Sequence, residues 1–361
     1  MSDDTDQLLE AVTDAIPKLL ATMEAFEQLQ GGGRYAQGSE SIKPFAEQLS
    51  VAMDRFAGVE FPEDLQPFGE RIHKSIEYSL RACENMARHS EGIGKVMQAM
   101  RAHCRAQELI YPLSAFMTPV SRYFVEPDAR ANTSLIQRLG EGADRERVGI
   151  HSASNDRDSR GGFSLYIPEY LDETKPASLV IALHGGTGHG ADFLWSWLRE
   201  ARTRGFLVMT PTSQLDTWSF DGEEHDLPTL LAMLDFVKSQ WPIDEQHILL
   251  TGMSDGATYS LLAGLNANSP FTHLAPFSGV LHPDLVMSGR IRYAEGRPIY
   301  LVHGTLDWMF PIEVAYMARE ELDRAGAQLT FREIEGLSHA YARSENPALI
   351  EWFNPTLSAD R

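Results

Sequence analysis

The chain has 361 residues, 43% of them hydrophobic and 23% charged, an ordinary balance for a globular protein and too long for one small core. Its formal net charge of −20 argues against nucleic acid or an anionic membrane as the main partner, because both repel such a surface. No segment approaches the roughly 20 uninterrupted apolar residues that a membrane-spanning helix needs.

The first residues, Met1-Ser2-Asp3-Asp4-Thr5-Asp6, put acid where a secretory signal has base, and no long apolar stretch follows. A cytoplasmic location is therefore expected. Cys83 and Cys104 both fall in helical patterns, and two buried free thiols suit a reducing compartment better than a disulfide.

Residues 1 to about 125 read as helical. Leu8, Val12, Ile16, Leu19, Met23 and Phe26 form one apolar face, with a kink or break expected at Pro17 and an end at Gly31-Gly32-Gly33. A second face runs Phe45, Leu49, Met53 and Phe56. A third runs Ile72, Ile76, Leu80, Cys83 and Met86, and a fourth Val96, Met100, Cys104 and Leu109. The Met and Cys positions read as gap-filling core. The pattern predicts an all-α bundle or cap over residues 1–140, serving as cap, lid or homo-oligomer interface, with a boundary near residue 140.

From about residue 146 the period changes. Two short runs, Arg147 to His151 and Phe163 to Ile167, flank a polar turn and predict an antiparallel hairpin. Continuously apolar runs follow at Leu179 to Leu183, Phe206 to Met209, Ile248 to Leu250, Leu274 to Phe277, Ile299 to Val302 and Leu329 to Ile334. Helix-length patterns separate them: Asp192 to Arg204, Leu227 to Gln240, Ala257 to Leu265, Ile312 to Ala325 and Pro347 to Phe353. Such an alternation predicts an α/β domain over residues 141–361, with a mostly parallel sheet buried on both faces. Pro276 removes a ladder donor and makes its strand the least secure.

In such a sheet chemistry collects beyond the C-terminal strand ends, and four candidate elements fall there. Ser254 sits in Gly252-Met253-Ser254-Asp255-Gly256, between a strand and a helix, where a tight elbow raises a hydroxyl above the sheet edge. A serine needs a base, and His339 follows the last strand, one of twelve histidines and favoured by its placement. Asp307, in His303-Gly304-Thr305-Leu306-Asp307, is placed to accept from the other nitrogen of that imidazole. It could equally cap a turn, and Asp284 and Asp255 are rival acids. The loop His184-Gly185-Gly186-Thr187-Gly188 caps the strand ending at Leu183 and can turn backbone N–H groups toward one point, with the N–H of Asp255 as a second donor. A phosphate-binding loop is the competing reading, but the G-x-G-x-x-G spacing is missing.

The chain order Ser254, Asp307, His339, with a glycine-rich loop upstream, resembles the phospholipase/carboxylesterase-like serine esterases of the α/β-hydrolase superfamily over about residues 146–355. The resemblance implies an α/β-hydrolase fold preceded by the helical domain. It also implies hydrolysis of carboxylic esters through an acyl-enzyme, with no metal or organic cofactor and a small-molecule ester as partner. Position by position, Ser254 would be nucleophile, His339 base and Asp307 acid, with Gly186 or Thr187 and Asp255 as the oxyanion-hole donors. The glycine loop reads His-Gly-Gly-Thr-Gly where the family has His-Gly-Gly-Gly, which leaves the choice between Gly186 and Thr187 open. Asp255 stands where glutamine is frequent, and the helical region lies outside the usual core.

Aromatic residues cluster near these elements: Phe193, Trp195 and Trp197, then Trp218 and Phe220, then Trp308 and Phe310. Trp218, Trp308 and Phe310 are the expected substrate contacts in an apolar pocket for a short acyl or aryl group, while about half of the set packs helices on the sheet. A peptidase or acyltransferase uses the same three side chains, and a ligand-binding protein on this scaffold is a further alternative.

Overall fold

The computed structural model describes residues 2–32, 35–220 and 224–357, which divide into a unit ending at Gly140 and one beginning at Glu141. The first unit is entirely helical. Its long helices are α1 (Ser2–Gly32), α2 (Tyr35–Ala57), α3 (Gln66–Ala87) and α4 (Ile93–Ile110), followed by the short α5 (Thr118–Tyr123) and α6 (Thr133–Gly142). Helix α1 packs on α2, α2 on α3, and α3 on α4. The buried stripe of α1 carries Ile16, Leu19, Met23 and Phe26, as its spacing requires.

Several helical expectations are corrected here. Helix α1 runs unbroken through Pro17. Pro17 and Thr13 both lie on the exposed face, so the carbonyl that loses its helical donor is open to water. The helix also continues through Gly31 and Gly32, while Gly33 lies outside the described residues. In α4 the buried stripe is Val96, Ala99, His103, Ala106 and Ile110, one step away from the expected Met100 and Cys104. Small alanines let a neighbouring helix come close, and the longer side chains are displaced to the flank. Phe45 of α2 stands exposed. Neither Cys83 nor Cys104 is in a disulfide; Cys83 is buried, as expected, and its burial pushes the thiol up to about 12, whereas Cys104 is only half-buried. None of the described helices is long and apolar enough to cross a membrane.

The second unit is built on one eight-stranded sheet in the order β1-β2-β4-β3-β5-β6-β7-β8. Strands β1 (Gly149–Ala153) and β2 (Phe163–Ile167) form the antiparallel hairpin, and β2 pairs antiparallel with β4 (Leu207–Pro211). Strands β3 (Ala177–Leu183), β5 (Ile243–Met253), β6 (His273–Phe277), β7 (Pro298–Gly304) and β8 (Gln328–Ile334) add in parallel. The connecting helices are α7 (Gly190–Phe193), α8 (Leu198–Arg204), α9 (Asp226–Gln240), α10 (Asp255–Gly264), α11 (Pro283–Met287), α12 (Ile312–Arg324) and α13 (Asn346–Phe353).

Two departures from the expected elements have clear physical causes. The single helix expected from Asp192 to Arg204 is split by a 3-10 turn, Leu194–Ser196. Trp195 and Trp197 are both buried, and residues two apart on an α-helix point to opposite sides. A tighter turn lets both indoles reach the interior. Pro276 does lie within β6, and the missing donor shows on one side only: the β6–β7 ladder keeps just Leu274↔Ile299 and Phe277↔Val302.

Register places the site. Leu183 of β3 pairs with Gly252 of β5, Met253 with Phe277 of β6, and Gly304 of β7 with Ile334 of β8. The segments that follow these residues therefore leave the sheet side by side at one edge. Away from that edge a buried ion pair ties β2 to α8. Arg202 Nε donates to Glu169 Oε1 at 3.0 Å, and Tyr166 OH donates to Glu169 Oε2 at 2.5 Å. Arg202→Met should cost about 3 kcal/mol in chemical denaturation, because the carboxylate is left buried without its cation. Adding Glu169→Leu should recover part of that loss. A double variant no more stable than the single one would mean that the unpaired charge is not the cause.

Candidate active site

Strand β5 ends at Met253 and α10 begins at Asp255, so Ser254 makes the whole turn alone, at φ 57° and ψ −117°. A left-handed φ on a serine is strained, and its neighbours hold it in place. Ser254 N–H donates to Phe277 O at 2.9 Å, and Ser254 O accepts from Thr258 N–H at 3.0 Å. The flanking glycines are required by space. A Cβ on Gly256 would lie 2.3 Å from Leu183 O, and one on Gly252 would lie 2.5 Å from the carbonyl of Gly256.

The serine hydroxyl that this turn presents lies 3.0 Å from His339 Nε2. His339 Nδ1 lies 2.8 Å from Asp307 Oδ2. A carboxylate only accepts, so Nδ1 carries the hydrogen, which leaves the Nε2 lone pair facing the hydroxyl. The two roles weighed for Asp307 turn out to be divided between its oxygens. Oδ2 faces His339, and Oδ1 accepts from Met309 N–H at 3.0 Å and Phe310 N–H at 2.8 Å. Burial works to raise this carboxyl, but the bonds from His339 and from Phe310 N–H outweigh it and hold the group below the ordinary aspartate value. Of the rival acids, Asp284 lies 3.6 Å from Arg290, and Asp255 accepts from Thr217 Oγ1 at 2.5 Å.

The glycine loop is pinned by a buried histidine. His184 Nδ1 meets Gly185 O at 2.7 Å, Ser213 N–H donates to His184 Nε2 at 3.1 Å, and Trp218 Nε1 donates to His184 O at 2.8 Å. Desolvation pushes His184 down to about 4, so the ring is neutral and serves as donor on one side and acceptor on the other. Thr187 N–H is committed to Asp216 O at 2.7 Å, which removes Thr187 from the candidate donors. Among the described residues, Gly186 N–H and Asp255 N–H have no hydrogen-bond partner. The Asp255 carboxylate also abuts Gly186, where a Cβ would lie 2.5 Å from Oδ2.

The expected substrate contacts divide. Trp308 is 56% exposed, and its ring stands near-perpendicular to His339 at 6.0 Å; Phe310 does the same at 5.5 Å. Leu306 and Met309 of the same loop are exposed as well. Trp218 requires a correction. It is 3% exposed, stacks on Tyr259 at 5.3 Å, and spends its N–H on His184, so it is chiefly a prop under the glycine loop. Its remaining edge borders a groove of about 670 Å³ shared with Arg160, Thr217, Phe220 and His225. Trp195 and Trp197 are core, and Phe193 packs edge-on against Tyr341. Among the described residues no three His, Cys, Asp or Glu side chains converge as a metal site would need.

Sequence reasoning missed two contributors, Thr217 and His303. Buried His303 meets Phe310 O at 2.7 Å through Nε2 and lies 3.5 Å from Asp307 Oδ2. A threonine in a loop and a histidine at a strand end carry no periodic signal. The only cue was the position of His303 in the strand that leads to Asp307.

Residues 217–354 match the family described as Phospholipase/Carboxylesterase. Over 148 residues the chain is 28% identical to the bifunctional acetylxylan esterase/xylanase XynS20E of Neocallimastix patriciarum, which covers 40% of this chain and 21% of that protein. The chain thus aligns with about a fifth of the length of this curated relative. An acetyl xylan esterase from Aspergillus awamori superposes with a TM-score of 0.48 at 16% identity, covering 57% of this chain and 98% of the other. An S-formylglutathione hydrolase from Agrobacterium tumefaciens gives 0.48 at 15% identity, with 58% and 95% covered. The unit beginning at Glu141 has the α/β-hydrolase fold, and the helical unit precedes it.

The state of His184 makes stability depend on pH. Its folded value near 4 lies below the ordinary 6.5 that it regains on unfolding. Between these values the unfolded chain binds a proton that the folded chain refuses, so stability is full above about 6.5 and falls toward pH 4. Burial pushes His273 down to about 4 as well, with the same sign. Urea unfolding at pH 7.5 and 4.5 should differ by about 2 to 5 kcal/mol in favour of the higher pH. Equal stability at the two values would contradict a neutral buried His184.

Proposed function

We propose that the protein is a carboxylic ester hydrolase acting through an acyl-enzyme on Ser254. The observation that carries this reading is the continuous relay from the Ser254 hydroxyl to His339 at 3.0 Å and on to Asp307 at 2.8 Å, with a strained serine at its open end. In the first half-reaction His339 Nε2 takes the hydroxyl proton as Oγ adds to the ester carbonyl. Asp307 stabilises the imidazolium through Nδ1. The developing oxyanion is received by the N–H groups of Gly186 and Asp255, a contribution of several kcal/mol in a site of this type. His339 then returns the proton to the departing alcohol. In the second half-reaction it takes a proton from water as the water oxygen adds to the acyl carbon, then passes that proton to Ser254 Oγ as the acyl–oxygen bond breaks and the acid leaves.

The substrate reading is a small ester with a short acyl group. Exposed Trp308 and Leu306, with Phe310, offer an apolar wall beside His339. The match to a relative named for acetylxylan esterase supports a short acyl chain.

Ser254→Ala should lower ester turnover by about 10⁴-fold or more in folded protein and abolish labelling by a fluorophosphonate. Asp307→Asn should cost about 10³- to 10⁴-fold in kcat, since an amide facing His339 favours the wrong tautomer. A panel of acetyl, butyryl and octanoyl aryl esters, with thioesters and peptide amides alongside, should rank acetyl and butyryl esters first. Persistent turnover in Ser254→Ala, or a parent enzyme that is not labelled, would refute the mechanism. Preference for amides would favour a peptidase.

A further inference from the structure

His303 closes the loop that carries Asp307. Its side chain is fully buried at the end of β7 and can touch no substrate. Phe310 O is only an acceptor, so His303 Nε2 carries a hydrogen and donates across 2.7 Å. The same nitrogen lies 3.5 Å from Asp307 Oδ2, the oxygen that faces His339. The other ring nitrogen, Nδ1, is buried with no partner among the described residues. The ring's polar link to the acid loop therefore runs through Nε2, which presents one fixed N–H dipole.

The Phe310 residue is thereby gripped at both polar groups. Its N–H goes to Asp307 Oδ1 and its C=O receives His303. Its ring stands edge-on to His339 at 5.5 Å. Asp307 N–H, bonded to Gly304 O at 3.3 Å, closes the base of the loop. Within the ester-hydrolase reading, on which this inference rests, we propose that His303 is a positioning residue: its Nε2–H fixes the 307–310 loop, so that Asp307 and Phe310 hold the His339 ring in line with Ser254. A shift of even 1 Å in a reacting group can cost on the order of 100-fold in rate. Substrate affinity should be spared, because His303 acts through other groups.

A histidine that merely fills space at a strand end would be replaced well by a leucine. The test therefore compares His303→Leu, which fills the space without donating, with His303→Gln, whose amide reaches as far as Nε2, and His303→Asn, which is polar but too short. In full-length protein on an acetyl aryl ester, His303→Leu and His303→Asn should lower kcat by about 30-fold and leave KM within about twofold. His303→Gln should recover about tenfold of the loss. Melting curves identify folded variants, and if leucine prevents folding the Asn and Gln pair decides. The inference is overturned by a folded Leu or Asn variant within about threefold of the parent in kcat, by a Gln variant no better than these, or by a loss confined to KM. A parent whose turnover survives Ser254→Ala would instead sink the ester-hydrolase reading beneath it. An active, Ser254-dependent parent with an indifferent His303 sinks this inference alone.

Discussion

The first turn of α10 is packed directly onto the end of β3, and the contact leaves room for nothing larger than hydrogen on the α-carbons of Gly252 and Gly256. Gly256 lies against Leu183 O, and Gly252 lies against Gly256 itself. This contact allows a helix to start directly after β5 without an intervening loop, and the residue at the join has no conformation left except a left-handed one. The strain on Ser254 is thus set by packing below it. It is held by the bond from its own N–H to β6 and by the α10 turn above. Any relaxation of the serine would have to move a helix and two strands together.

The other elements of the site inherit their positions from that junction. Parallel register brings the end of β3 next to the elbow and the ends of β7 and β8 next to one another, so two pairs of loops face each other across β6. Each pair contains a histidine that is fixed by backbone groups and is not itself the proposed base. His184 anchors the glycine loop, and His303 anchors the acid loop. Each ring joins a strand end to a loop that must not move. Rigid support of this kind is what an arrangement of weakly activated groups requires.

What was legible in the sequence was whatever leaves a period or an order. Short apolar runs separated by amphipathic ones marked the strands of the sheet, and even Pro276 kept its place in β6 because only one of its two ladders had to give way. The relay was legible because Ser254, Asp307 and His339 each follow a strand in a chain order that few architectures share. Orientation was not legible. An indole in a loop looks like a binding surface until its N–H is seen to reach inward to His184, as that of Trp218 does. The tight pair Trp195 and Trp197 carries a helical composition but cannot be buried from one continuous helix. Thr187 looked equal to Gly186 as a donor, and only the path of Asp216 past it settles which N–H is already used. In the helical unit the hydrophobicity ranking favoured Met100 and Cys104 over Ala99 and His103, because it measures greasiness and not how near two backbones come.

The clasp between Thr217 and Asp255 has a consequence for the glycine loop. It links the residue after the serine to the segment that also receives Thr187 N–H, so residues 216 and 217 are fastened to the elbow through a carboxylate and to the glycine loop through a backbone carbonyl. That carboxylate abuts Gly186, in the neighbourhood where the proposed reaction creates a negative charge, and an ionised acid there would oppose it. A neutral side chain would be kinder to the transition state. The side chain that fastens these segments mechanically is thus an electrostatic compromise beside the chemistry proposed for the site.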